Sequence, residues 1–113
     1  MTTIKSYSDL QQSKKLAEIL PLESADMRYG NEDPYKITIG KWKDNEHDED
    51  DIPCWSLAAL LGVLPEIQGG KPAISLNDNY ITYPRMSGLH TEADNLVDAC
   101  YEMILKLHEL NLL

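Results

Sequence analysis

Residues 91–110, TEADNLVDACYEMILKLHEL, decide the fold because their apolar positions recur at the spacing of an α-helix. Thr91 is the predicted N-cap, and Asp94 follows three residues later in a pattern similar to a capping box. The positions on the apolar stripe are Ala93, Leu96, Val97, Cys100, Met103, Ile104 and Leu107. Such a stripe has to be covered by a second layer of structure, so we expect this helix to organise the core.

Two further helices are predicted upstream. The first covers 9–20, with Ser8 as N-cap and Gln11 as its capping-box partner. The second covers 53–64 and is apolar almost all round, which is typical of a buried helix. Pro53 suits the first turn of this second helix, because proline there gives up no helical hydrogen bond.

Alternating stretches between the helices predict two β-hairpins. Residues 27–29 and 35–39 flank the turn sequence GNEDP, and residues 73–83 contain the turn NDN. The predicted order is therefore α-β-β-α-β-β-α. We expect an α+β fold in which a small antiparallel sheet made of the two hairpins is packed by three helices, within a single domain spanning 1–113.

The charge of the chain excludes some classes of ligand. Lys and Arg number 10 against 19 Asp and Glu, which gives a net charge of -9 over 113 residues. This field repels nucleic acids and anionic lipids. The beginning of the sequence lacks the apolar core of a signal peptide, and the longest apolar run, LAALLGVLP at 57–65, is too short to span a bilayer. We therefore expect a cytoplasmic protein.

The acidic run DNEHDEDD at 44–51 raises the question of a cation site. As an EF-hand loop it lacks the sharp-turn glycine, since Glu49 stands there, and the twelfth-position glutamate, since Trp55 stands there. A solvated loop is the favoured interpretation, and a divalent-metal or small-molecule site is the alternative. The candidate metal ligands are Asp44, Glu46, His47 and Asp48.

The chain has two cysteines, Cys54 and Cys100, without a CxxC pattern, and we expect both to be buried and reduced. Cys54 falls in the first turn of the predicted second helix, where backbone N–H groups favour a thiolate, but its apolar neighbours oppose that effect. A catalytic role would also need a histidine beside it. The sequence shows no glycine-rich phosphate loop and no metalloprotease motif. We therefore predict a protein that is not an enzyme and takes no cofactor.

Three segments resemble a family of small proteins encoded by gut Bacteroidetes bacteria and their phages or mobile elements, a family with no assigned activity. The segments are LPLESADM (20–27), IPCWSLAALLGVLP (52–65) and ADNLVDACYEMILKLHELNLL (93–113). They match the patterns PxWSLxxLLxxLP and DNxVDACxEMIxKLHEL of that family. The resemblance implies an intracellular accessory protein of phage or mobile-element origin, and it assigns no catalytic residue.

These observations favour an accessory or regulatory domain that binds a protein partner or self-associates. The candidate contact residues are aromatic, basic or apolar: Trp42, Tyr80, Tyr83, Arg85, Leu110, Leu112 and Leu113. Two alternatives apply to them. The aromatic rings could complete a core that contains no phenylalanine, and we expect the leucines to fold back on the core rather than form an exposed patch. A further hypothesis is an acidic mimic of DNA that occupies a DNA-binding protein.

Overall fold

The computed structural model describes residues 5–29, 37–39, 52–86 and 88–113. The helices are α1 (Leu10–Ile19), α2 (Leu57–Val63) and α3 (Leu96–Glu109), and a 3-10 turn covers Leu22–Ser24. The strands are β1 (Met27–Tyr29), β2 (Ile37–Ile39), β3 (Ile52–Cys54), β4 (Ala73–Ser75), β5 (Tyr80–Thr82) and β6 (His90–Glu92). The predicted α+β class, the three helices and the two hairpins are confirmed.

The strands form two antiparallel sheets, with strand orders β2-β1-β3 and β4-β5-β6. The first hairpin pairs Arg28 with Thr38, and the second pairs Ile74 with Ile81. Each hairpin gains a third strand that the sequence did not predict, because β3 adds to β1 and β6 adds to β5. The hairpins therefore belong to separate sheets among the described residues.

The second helix is shorter than predicted, and Pro53 is a strand residue. β3 is an edge strand. Proline has no backbone N–H to donate, and an edge strand tolerates it because its outer side has no neighbouring strand to pair with. Ser56 is the N-cap of α2, since its side chain accepts a hydrogen bond from the backbone N–H of Ala59. The Ser56 hydroxyl also donates to the Asp26 carboxylate, which ties the start of α2 to the segment before β1.

The predicted caps of the first and third helices were each misplaced. Asp9, not Ser8, caps α1 and forms a reciprocal capping box with Gln12. Asn95, not Thr91, caps α3. Thr91 lies in β6, where its buried hydroxyl donates to the carbonyl of Ala99 at 2.8 Å and so ties the sheet to the helix.

The core centres on α3, which packs against α2, β5 and β6 and more lightly against α1. Its predicted apolar stripe is confirmed from Leu96 onwards, whereas Ala93 precedes the helix and is only partly buried. The fully buried side chains of α3 are Val97, Ala99, Cys100, Met103, Ile104 and Leu107. In the part of the chain that the structure describes, no helix is long and apolar enough to cross a membrane.

Candidate functional site

The candidate partner-binding leucines lie immediately after α3 and are exposed. Leu110 exposes 55% of its surface, and Leu112 and Leu113 expose 36% each. The expectation that they fold back on the core is therefore wrong for Leu110, whereas Leu112 and Leu113 are each covered over most of their surface. The described chain around 107–113 leaves them at the surface, where exposed apolar groups mark contact sites when they cluster.

A Schellman turn holds this segment in a defined conformation. The N–H of Leu112 donates to the carbonyl of Leu107 at 2.8 Å, and the N–H of Asn111 donates to the carbonyl of His108 at 3.1 Å. Asn111 has a φ of 59°, the left-handed conformation that this motif requires. The backbone of α3 is thus capped by its own turn, and the leucine side chains are not needed to cap it.

Tyr83, a predicted contact residue, is instead part of the core. Only 2% of its surface is exposed, and its hydroxyl donates to the carbonyl of Pro65 at 2.8 Å. Burial raises the pKa of Tyr83 to about 12, because it penalises the charged phenolate. Tyr83 directly follows β5 and is buried like Ile81 two residues earlier, so its ring is not available to a partner.

Tyr80 and Arg85 are nearer the surface. The half-buried ring of Tyr80 lies 5.0 Å from the ring of His90, centroid to centroid. The exposed Arg85 donates to the carbonyl of Gln68 at 3.0 Å, and its stem covers Gly70, where an added Cβ would come within 2.8 Å of Arg85 Cδ. Arg85 therefore supports a tight turn. Trp42 lies outside the described residues.

The acidic run at 44–51 also lies outside the described residues, together with the metal candidates Asp44, Glu46, His47 and Asp48. The metal or small-molecule alternative stays a prediction for these positions. Over 5–29, 52–86 and 88–113, no group of three or more His, Cys, Asp or Glu side chains could hold a metal ion.

Cys54 lies in β3, not in a first helical turn, and it is fully buried. Its Sγ is 3.4 Å from the carbonyl oxygen of Ser8 and 3.7 Å from the Ser8 hydroxyl. Burial raises the pKa of the Cys54 thiol, and hydrogen bonds from Ser8, Ser13 and Tyr29 only partly oppose that effect. A buried thiol held in its protonated form is a poor nucleophile.

Cys100 is equally buried, and burial raises its pKa to about 12. Both cysteines are free, as expected. The histidines that the structure describes, His90 and His108, are exposed residues, whereas both thiols are fully buried. These residues do not assemble a thiol–histidine pair of the kind that nucleophilic catalysis needs.

Sequence reasoning missed a groove between α1, β6 and α3. Its volume is about 510 Å³. The lining residues are Gln12, Glu92, Ala93, Asp94, Asp98, Tyr101, Glu102 and Leu105. The charges on these residues are all negative. The lining residues 98, 101, 102 and 105 have i, i+3 and i+4 spacing, so the sequence could have placed them on one face of α3. The contributions of Gln12 and Glu92 depend on the tertiary structure.

Two of the lining residues, Gln12 and Asp98, also belong to a polar network. Lys5 Nζ lies 2.8 Å from Asp98 Oδ1 and 3.0 Å from Asp9 Oδ2. Gln12 and Asn95 also donate to the Asp98 carboxylate, at 2.8 and 2.9 Å. Burial alone would raise the pKa of Asp98, but these contacts outweigh burial, so its pKa lies below the usual value.

Comparisons with known proteins give no relative. No protein-family model matches this chain, and neither a curated protein nor a solved structure is significantly similar to it.

Proposed function

We propose that this chain is a non-enzymatic protein-binding domain, whose contact surface includes Leu110, Leu112 and Leu113. In this proposal it acts in the cytoplasm as an accessory or regulatory factor, and it serves a phage or mobile element or its host. The proposed link to a phage or mobile element rests on the resemblance of 52–65 and 93–113 to the family of small proteins from gut Bacteroidetes and their phages.

The observation that carries the proposal is the exposed leucine segment at 110–113, held by a backbone turn. Burial of one leucine side chain is worth about 1.5–3 kcal/mol, so these leucines offer appreciable binding free energy to a partner. The Schellman turn fixes their backbone in advance, which lowers the entropy lost on association. The buried, protonated Cys54 supports a non-enzymatic role, since it removes the most plausible nucleophile that the sequence suggested.

The test is an affinity capture from a lysate of the native host, read by mass spectrometry. The variant carries Leu110→Ser, Leu112→Ser and Leu113→Ser. The matched control carries Leu76→Ser, because Leu76 is 76% exposed and lies elsewhere, after β4. Sedimentation velocity on the same proteins measures self-association.

We expect one abundant partner, or a self-associated species, that is lost in the triple variant and retained in the Leu76→Ser control. Loss in both variants would indicate nonspecific apolar adhesion. A partner that binds all three proteins equally would place the contact surface elsewhere and would contradict the assignment of the leucines. If no partner and no self-association are found, the protein-binding proposal fails as a whole.

A further inference from the structure

Among the residues that the structure describes, the acidic groove has unpaired carboxylates, which distinguishes it from the network around Asp98. The carboxylate of Asp98 is balanced by Lys5. The side chains of Glu92, Asp94 and Glu102 take part in no hydrogen bond or ion pair with the residues that the structure describes. Three of the four carboxylates in the groove are therefore unpaired within the described part of the chain, and they attract cationic groups.

The groove also has apolar surface next to these carboxylates. Tyr101 and Leu105 belong to α3 and are half-buried, and Ala93 lies at the junction between β6 and α3. An arginine side chain has matching chemistry, since its stem packs on apolar surface, its planar guanidinium stacks on an aromatic ring, and its N–H groups pair with carboxylates.

We propose that this groove binds an arginine-containing basic segment of a partner protein. The inference rests on the proposed function, because it names the chemistry of the partner, but it places the contact at a surface distinct from 110–113. Charge complementarity selects this occupant, since a nucleic acid or an anionic lipid would be repelled by the same carboxylates. The DNA-mimic hypothesis also has a basic partner, but mimicry needs carboxylates spread along an extended surface rather than gathered in one groove.

The test uses a capped hexaarginine peptide as the probe and a hexacitrulline peptide as its neutral counterpart. The groove variant carries Glu92→Gln, Asp94→Asn and Glu102→Gln. A matched control carries Glu18→Gln, Glu23→Gln and Glu66→Gln, which change the net charge equally at exposed positions outside the groove. Binding is measured by fluorescence anisotropy near physiological ionic strength, where screening over about 8 Å separates local from distant charges.

We expect the groove variant to weaken hexaarginine binding about tenfold, equivalent to about 1.4 kcal/mol, and the control variant to weaken it much less. Hexacitrulline should bind neither protein measurably. Equal weakening in both variants, or no weakening in the groove variant, would overturn the proposal, because the peptide would then be responding to net charge or to another surface.

A second pair of variants tests the contribution of the Tyr101 ring separately from that of the carboxylates. Tyr101→Leu keeps apolar volume but removes the aromatic face, so binding should weaken about two- to fivefold. Tyr101→Phe keeps the face and should bind like the parent protein. Equal affinity for both variants would contradict guanidinium stacking on this ring. The triple leucine variant should bind hexaarginine normally, so a failed partner capture and a failed groove give different patterns of results.

Discussion

The two ends of α3 are built in different ways. At its start, Asn95 caps the helix, and Asp98 in the first turn is bonded to Lys5 and Gln12, so side chains fix this end to α1 and the preceding segment. At its end, the turn at 110–112 satisfies the last carbonyls with backbone N–H groups alone. The difference suggests a division of roles, in which polar side chains position the helix and the apolar side chains at 110–113 stay available for contact.

The Asn95 cap should give the largest effect on stability. Asn95 is buried, its side-chain oxygen accepts from the N–H of Asp98 at 2.8 Å, and its amide donates to the Asp98 carboxylate. Asn95→Ala should lower the free energy of unfolding by about 1–2 kcal/mol. Asn95→Ser keeps an N-cap acceptor and should lose less. Urea denaturation measures both, and equal losses would show that packing rather than capping matters at this position.

The turn after α3 should respond less strongly. Asn111→Ala places a residue that disfavours positive φ at the left-handed position, so we expect a loss of about 1 kcal/mol. Asn111→Gly should be neutral or slightly stabilising, because glycine adopts this conformation freely. Thermal unfolding of the pair checks this contrast. If alanine proves as stable as glycine, the left-handed turn does not form in solution.

The Lys5–Asp98 pair should give the smallest effect, because both groups are partly exposed. Lys5→Met should lower the free energy of unfolding by roughly 0.5–1 kcal/mol, and by less at high salt. Urea denaturation at low and high salt measures this loss. A loss that is independent of salt would indicate that the stem of Lys5, rather than its charge, stabilises the fold.

The same ion pair predicts a dependence of stability on pH. The folded-state pKa of Asp98 is lowered, so its contribution is present above the unfolded value of about 3.9 and is lost as pH falls through the folded pKa. Burial opposes the charge of Lys5, but its carboxylate partners raise its pKa overall, so its contribution is lost only as pH rises through that raised value. Lys5→Met should therefore show a smaller acid-induced loss of stability than the parent protein.

Much of the fold could be predicted from the sequence, because helical periodicity and turn residues are local signals. The stripe of α3 and the turn of the second hairpin are of this kind. β3 and β6 were missed because no short turn sequence joins either of them to its partner strand, so their pairing depends on the tertiary structure. Pro53 was interpreted as the first residue of a helix. In the structure it lies in β3, an edge strand, where proline is also tolerated.

The site was less predictable, because exposure depends on what packs nearby. For Tyr83 the sequence left both a contact role and core burial open, and only the tertiary structure shows that the ring is in the core. The leucines at 110–113 were identified as candidates, yet only the backbone turn shows why they stay at the surface. The groove joins Gln12 to Leu105 across nearly the whole chain, and no local pattern encodes that proximity.

The most direct test of the account compares stability with binding in the Leu110→Ser/Leu112→Ser/Leu113→Ser variant. If these leucines serve a partner, the free energy of unfolding should stay within about 0.5 kcal/mol of the parent value, as for ordinary surface substitutions, while partner capture or self-association is lost. A loss of about 2 kcal/mol or more in urea denaturation, with binding retained, would contradict the account. Such a result would make the leucines part of the core.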